Sequence, residues 1–416
     1  MKKIIVVHPG RQHSFQLANA LTKSEMLYKY ITTIYNKDSS LLMKFALMFL
    51  PKQHKQRAIA RKSAALNDKD VLLFCEFEAF LLLLIAQIDI NKKIYIWAEK
   101  RISMRFQKKV ANYVIKNNID VVISYDTNSK ILFDILKSKV PAVVRIIDHA
   151  HPARNYLYEI YQEYIEKSGD FVKTFEACGY LLNKNYSMTF GKEINDANFH
   201  IVASNFSKKG VLFNGISENK IFLVPYGVNL DKFKFNDNKD CNKLRVLFVG
   251  EINQRKGIYQ ILETAKELNT LDIQFDIIGR GSKYCAELYK PYQKYVNFWG
   301  HVSFEVLLDF FFHSHVFVFP TLGEGFGLVI LEALSAGLPV ITTPNCAGAD
   351  VINDGYNGFI INPCDHLTLK EKILWFKNNP GFLRNMSDNA IKSVQNFTWE
   401  HYYERIADAV KQMIKE

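Results

Sequence analysis

Apolar residues along the first half of the chain fall in short runs separated by longer mixed segments. Short runs rich in Val and Ile suit strands buried on both faces. They predict strands at Lys3–His8, Val71–Cys75, Lys93–Trp97, Val121–Tyr125, Ala142–Ile147 and His200–Ala203. Between them the polar and apolar positions take a helical period, at Phe15–Leu21, Ser103–Asn117, Ser129–Lys137 and Tyr156–Lys167. The second half repeats the pattern. Its strands are expected at Arg245–Val249, Phe275–Ile278, Val296–Trp299, Val316–Pro320, Val340–Thr343 and Gly358–Ile361. Its helices are expected at Gly257–Leu268, Ser303–Phe312, Leu328–Ala336 and His366–Asn378.

Strands alternating with helices imply parallel, doubly wound sheets. The chain therefore reads as α/β, with two Rossmann-like domains in tandem. The stretch Val224–Lys243 is polar, turn-rich and without period, as a linker is. This sets the first domain at residues 1–223 and the second at 224–395. Residues 396–416 remain, with Trp399, Tyr402, Tyr403, Ile406, Ala407, Val410 and Ile414 at helical spacing. That is an amphipathic helix in need of a surface. Ligands of parallel α/β sheets bind beyond the carboxyl ends of the strands, so two such domains facing one another frame a central cleft.

Composition narrows the class. Six scattered cysteines, none at Cys-x-x-Cys spacing, read as buried thiols in a reducing compartment. The N-terminal apolar run is short and ends in His8-Pro-Gly10, which suits a first strand better than a signal peptide. The most apolar stretch, Phe80–Ala86, falls far short of the ~20 residues that span a bilayer. The expectation is a cytoplasmic protein. The net charge of +11 is uneven: residues 1–210 carry 32 Lys/Arg against 19 Asp/Glu, and residues 211–416 carry 21 against 23. A basic first half beside a near-neutral second half suggests an anionic partner for the first.

The densest chemistry lies in Pro320-Thr-Leu-Gly-Glu-Gly-Phe-Gly-Leu328. A strand ends, three glycines (Gly323, Gly325, Gly327) make a turn, and a helix begins. The first N–H groups of a helix lack intrahelical partners, and with the helix dipole they form an anion site. Glu324 stands in the turn and Glu332 about 7 Å along the helix. Two carboxylates there can accept hydrogen bonds from the hydroxyls of a sugar and a ribose.

The spacing Glu324-x7-Glu332, with Ala333-x-x-Ala-Gly-Leu-Pro-Val340 behind it, resembles the pattern of the retaining family 4 glycosyltransferases, whose fold is GT-B. Val224-Pro-Tyr-Gly-Val-Asn-Leu-Asp-Lys-Phe233, Phe248-Val-Gly250 through Arg255-Lys-Gly257, Asn357-Gly-Phe359 and Asn362-Pro-x-Asp365 resemble the same family. The resemblance is dense from about residue 200 to 400 and thin before it. It implies that Glu324 binds the donor sugar near the reacting centre and that Glu332 binds the ribose. It implies that backbone amides of Phe326, Gly327 and Leu328 touch sugar and diphosphate, and that Lys256 stabilises the leaving nucleotide. Many members carry an Arg after the first glycine of the second domain; here Glu251 stands there, and Arg255 is the candidate substitute. The resemblance further implies a nucleotide sugar as substrate, no cofactor and no metal, and a last helix that crosses back to the first domain. The acceptor it implies is a lipid-linked or surface-polysaccharide precursor. The mechanism it implies is front-face, with the leaving phosphate oxygen helping to deprotonate the acceptor.

In the first half, His8-Pro-Gly-Arg-Gln-His-Ser14 follows a strand and faces the cleft. The resemblance implies that Gly10 approaches the donor diphosphate, and Arg11 or His13 could bind donor or acceptor; a plain connecting loop is the alternative. Ile147-Asp-His-Ala-His151 also ends a strand, and the resemblance puts a sugar- or acceptor-contacting His at His149 or His151. Asp148 with these two His is also a conceivable metal trio. Leu41–Lys62 joins an apolar run to Lys44, Lys52, Lys55, Arg57, Arg61 and Lys62, with Pro51 splitting it into two helices. An interfacial helix pair on an anionic membrane would look like this, and so would a core helix followed by a solvated one. Gly279-Arg-Gly281 lacks the third glycine and the acidic residue of a dinucleotide site. No nucleic-acid-binding motif accompanies the basic charge. A sugar-nucleotide epimerase and a catalytically silent scaffold of the same fold are the rival readings.

Overall fold

The computed structural model describes residues 2–10, 13–49, 52–88, 93–177, 191–233 and 243–415. The first sheet holds seven parallel strands: β1 (Ile4–Val7), β2 (Leu27–Thr32), β3 (Val71–Leu73), β4 (Val121–Tyr125), β5 (Val144–His149), β6 (Phe199–Val202) and β7 (Ile221–Leu223). They lie in the order β3-β2-β1-β4-β5-β6-β7. The second sheet is formed by β8 (Leu244–Val249), β9 (Ile273–Ile278), β10 (Asn297–Gly300), β11 (Val316–Phe319), β12 (Val340–Thr342) and β13 (Gly358–Ile360). Their order is β10-β9-β8-β11-β12-β13, again parallel throughout.

Strand β1 shows why these runs are apolar on both sides. Ile4 and Val6 enter one core with Phe15 and Leu21 of the helix Ser14–Lys23. Ile5 and Val7 enter the opposite core with Phe106, Val110 and Leu132. The side chains of a strand alternate between faces, so a sheet covered twice needs every position apolar.

Each sheet reverses its winding once, between β1 and β4 in the first and between β8 and β11 in the second. The crevice beyond the strand ends opens at such switch points. The loops after β1, β5, β8 and β11 therefore meet in the space between the two domains.

The segment Lys93–Trp97 is not a strand. It is the first turn and a half of the helix Lys93–Asn117. Five residues with alternating Ile and Tyr matched a period of two, but the longer run buries Ala98, Phe106, Val110, Ala111 and Val114 at helical spacing. Ile94, Ile96 and Trp97 stay on the surface, and the Arg101 guanidinium sits 4.5 Å over the Trp97 ring. The structure also adds β2, β7 and the helix Pro380–Ser393 to the expected elements. Lys29 sits inside β2, where its ammonium donates to Asp70 Oδ1 at 3.0 Å.

The last helix, Trp399–Met413, leaves the second domain and packs on Ser14–Lys23 of the first. Tyr402, Ile406, Val410 and Met413 are its buried stripe. Thr398 caps it, accepting the His401 amide, an arrangement usually worth about 1 kcal/mol. Tyr403 donates to Gln16 Oε1 at 2.6 Å.

Candidate active site

The wall formed by the second domain is built around the turn after β11. Gly327 has φ 86° and precedes the helix Leu328–Ser335, a left-handed conformation that glycine adopts without the steric penalty of a side chain. The amides of Gly327, Leu328 and Val329 donate to no group among the described residues. They face a cleft of ≈ 540 Å³ lined also by Phe319, Phe326 and Glu332. That volume suits a nucleotide-sized ligand.

Beside the turn runs the loop after β8, with Gly250 and Glu251 on the cleft and the short helix Gln254–Lys256 behind them. The Leu322 amide and the Thr321 hydroxyl both donate to the Arg255 carbonyl, at 2.8 and 2.9 Å. These bonds lock the two loops together. Arg255 and Lys256 both pair with one oxygen of Glu324, and the Lys256 ammonium stands 4.8 Å over the Phe319 ring. All three groups are largely buried. Burial alone would raise the Glu324 carboxyl; the Lys256 and Arg255 cations outweigh it and hold the group well below the usual carboxylate range. Burial lowers Lys256, opposed by Glu324. In the free protein Glu324 thus occupies the place of an anion between two cations. Glu251 approaches Arg255 only at 4.0 Å and is half-exposed.

Glu332 faces the same cleft and a smaller adjoining pocket of ≈ 160 Å³ lined by Asn229, Lys232, Phe304 and Trp399. Burial raises its carboxyl.

The first domain supplies the facing wall. His151 lines the cleft, 3.7 Å from Asp126, whose carboxyl also accepts the Ala150 amide at 2.8 Å. Burial would raise Asp126, but the neighbouring His151 holds it down at about 2. His149 points elsewhere: it is buried, with Nε2 3.0 Å from His200 Nδ1. Of the two histidines the sequence offered, only His151 reaches the cleft. His13 reaches it as well, with Nε2 3.0 Å from Asp148 and 2.9 Å from the Tyr226 hydroxyl. Gly10 is not among the residues lining the cleft, and its amide donates to His8 Nδ1. Arg11 lies outside the described residues. Tyr226 was hidden in the linker: nothing in Pro225-Tyr-Gly227 shows that its ring packs at 5.3 Å on Phe326 and closes the cleft floor.

The first domain also grips the turn after β11 itself. Ser204 and Ser207 donate to the Gly325 carbonyl at 2.5 and 2.9 Å, and Tyr161 donates to the Gly323 carbonyl at 3.3 Å. A Cβ on Gly325 would stand 2.1 Å from the Ala150 carbonyl oxygen. Only a glycine permits so close an approach.

Comparison with known proteins fits this geometry. The chain superposes along its whole length on sucrose-phosphate synthase from Thermosynechococcus elongatus, with a TM-score of 0.68 at 16% identity and both chains covered in full. It superposes equally fully on HepE from Anabaena, solved with UDP-glucose, with a TM-score of 0.63 at 14% identity over 99% of this chain and 100% of that one. The fold is GT-B. Residues 230–393, most of the second GT-B domain, match the model of the family described as glycosyl transferases group 1. The capsular polysaccharide biosynthesis glycosyltransferase CapM of Staphylococcus aureus is 27% identical over 235 residues, covering 52% of this chain and 61% of that protein. The chain spans about half the length of the curated relatives it matches. Among the described residues no helix is long and apolar enough to cross a membrane.

Proposed function

We propose that this protein is a retaining, family 4 glycosyltransferase that moves a hexosyl group from a nucleotide sugar to a hydroxyl of a lipid-linked or cell-surface polysaccharide precursor. The observation that carries the reading is the Lys256–Glu324–Arg255 cluster beside the open N-terminus of Leu328–Ser335, inside a cleft between two domains. Unsatisfied amides and two cations suit a diphosphate. Fixed cations stabilise the charge that grows on the phosphate as the sugar leaves. Glu324 is then released to accept hydroxyl hydrogen bonds from the sugar, and Glu332 is placed for the ribose. No cofactor or metal enters the reading, because these groups supply the positive charge.

The GT-B fold supports it, as do the family model over the second domain and the likeness to a capsular polysaccharide enzyme. The anionic membrane surface enters through the first domain. Leu41, Phe45 and Met48 on one helix and Phe77, Leu81 and Leu84 on another are exposed, although Met43 and Ala79 pack these helices together. Cationic Lys44 and Lys55 accompany them. One face of the first helix is buried through Met43 and the other is apolar and exposed, a composition that suits the bilayer interface.

Nucleotide screening by thermal shift tests the central reading. A ligand at 100 times its Kd adds about 2.7 kcal/mol of stability. Absence of a shift with every uridine, guanosine, adenosine and thymidine diphosphate and diphospho-sugar would overturn it. An acceptor-free assay that converted the bound nucleotide sugar to an epimer would replace it.

A further inference from the structure

The segment Glu166–Ala177 belongs to the first domain, between β5 and β6, and lies against the second. Phe171 is its anchor. The ring stands 5.1 Å from that of Tyr259, 5.9 Å from Tyr289 and 6.1 Å from Tyr292, all three in the second domain. Tyr289 in turn donates to the Ile252 carbonyl at 2.9 Å, just before the turn that carries Arg255 and Lys256. Two hydroxyls of the segment reach that turn itself. The backbone amide of Gln254 donates to Thr174 Oγ1 at 2.8 Å, and Gln254 Nε2 donates to Ser168 Oγ at 3.1 Å. Each hydroxyl gives its own hydrogen back to the first domain, Thr174 to the Phe171 carbonyl and Ser168 to the Tyr164 carbonyl. Each is therefore left as an acceptor towards Gln254. The side-chain amide of Gln254 also meets Gln260 Oε1 at 3.0 Å and the Tyr259 backbone amide at 3.1 Å. Gln254, Ser168 and Thr174 are fully buried.

We propose that Thr174 and Ser168 are positioning residues for the diphosphate site: through Gln254 they aim Arg255 and Lys256 at the cleft, so that the pair of cations is complete only while the first domain is docked on the second. The proposal deepens the glycosyl-transfer reading and rests on its assignment of these cations to a diphosphate. Neither hydroxyl lines the cleft, so neither touches the ligand. Their effect passes along the chain, because Gln254 is the residue next to Arg255. The turn is pinned from two sides. The bonds of Thr321 and Leu322 to the Arg255 carbonyl hold it within the second domain. The hydroxyls of Thr174 and Ser168 hold it from the first. Without the Thr174 hydroxyl the Gln254 N–H is buried with no acceptor, which is unfavourable. The turn can then find that hydrogen bond only by moving, and it carries both cations with it. A buried polar network rigidifies its surroundings only while it is fully satisfied. The ribose carboxylate Glu332 stands on a different element, the helix Leu328–Ser335, and is not held by this network. The effect should therefore fall on the phosphates and spare the nucleoside.

The test uses the full chain, the nucleoside diphosphate that gives the largest thermal shift, and its parent nucleoside. Calorimetric titration measures the first and ligand-observed NMR the second. Thr174→Val keeps the shape of the side chain and removes the hydroxyl. A turn correctly placed in about a tenth of the molecules raises the apparent Kd about tenfold, so a loss of roughly that size is expected for the diphosphate. Nucleoside affinity should stay within about twofold of the wild type. Thr174→Ser, which keeps the hydroxyl, should bind the diphosphate as the wild type does. Unchanged diphosphate affinity in Thr174→Val would overturn the proposal, whatever the melting temperature does, since the bond would then only hold the domains together. Equal losses for diphosphate and nucleoside would overturn it, and so would a Thr174→Ser protein as weak as Thr174→Val. If Thr174→Val does not fold, Ser168→Ala carries the test with the same expected split and the same refuting results. A wild-type protein that binds no nucleoside diphosphate would instead overturn the glycosyl-transfer reading itself.

Discussion

Replacing Glu324 by Gln leaves Lys256 and Arg255 side by side in a buried wall with no counter-charge between them. Removing one partner from a buried ion pair costs about 3–5 kcal/mol, because the remaining charge is desolvated and unpaired. At about 2–4 °C per kcal/mol for a domain of this size, the melting temperature should drop by roughly 6–20 °C. The same variant should bind a nucleoside diphosphate more tightly. In the wild type the diphosphate must draw the two cations away from Glu324, whereas in the variant it supplies the charge they lack. A coupling of about 1–3 kcal/mol corresponds to roughly 5–150-fold in Kd. Glycosyl transfer should nevertheless fall, since the sugar loses an ionised acceptor for its hydroxyls. The depressed Glu324 carboxyl stabilises the fold above the ordinary carboxylate value of 4.5 and loses that contribution as pH falls toward its folded value. The gap in stability between wild type and Glu324→Gln should therefore narrow as the pH is lowered below about 4.5. Scanning fluorimetry with and without UDP, and calorimetric titration, measure both effects. An unchanged melting temperature together with unchanged or weaker UDP binding would refute the picture of Glu324 as a resident anion.

Lys256→Ala should lower turnover more than it weakens nucleotide binding, because the phosphate charge it meets develops in the transition state; equal losses in kcat and in affinity would make it a binding anchor only. Glu332→Gln should weaken nucleoside diphosphate binding by roughly 1–2 kcal/mol through the loss of a charge-assisted bond, and an unchanged calorimetric Kd would remove it from the ribose site. Binding to vesicles with phosphatidylserine should fall as salt rises, since the Debye length is only about 8 Å at physiological ionic strength. Changing Lys44 and Lys55 to Gln should weaken it further, and Phe45→Ser should remove what remains at high salt; equal sedimentation with neutral and anionic vesicles would rule out the charge-driven contact.

The second domain was legible because its chemistry is local in sequence. Strand, glycine turn, carboxylate and helix follow one another between Val316 and Glu332, and the structure keeps them in that order. The joint engagement of Arg255 and Lys256 by a carboxylate almost 70 residues away was not legible, because it depends on β8 and β11 being neighbours. The first domain gave less. His13, Asp148 and Tyr226 meet only because β1, β5 and the linker end in one place. No short-range pattern encodes that meeting. Strand β2 escaped notice because Lys29 interrupts its apolar run, and the pairing with Asp70 that accommodates it is visible only in space. Lys93–Trp97 misled for the opposite reason: a window of five residues cannot separate a period of two from the start of a helix 25 residues long.

The hydroxyls of Ser204, Ser207 and Tyr161 reach across from one domain to hold carbonyls in the glycine turn of the other. The shape of that turn is thus a joint property of both halves. A second domain expressed alone would keep every donor-facing residue and still lose affinity, since only the fraction of molecules with the turn correctly shaped could bind. On the proposed reading, parting the two halves would free Gly323 and Gly325 from these hydrogen bonds and loosen the turn whose amides are expected to meet the diphosphate. Turnover would then be paced by how often the two halves part.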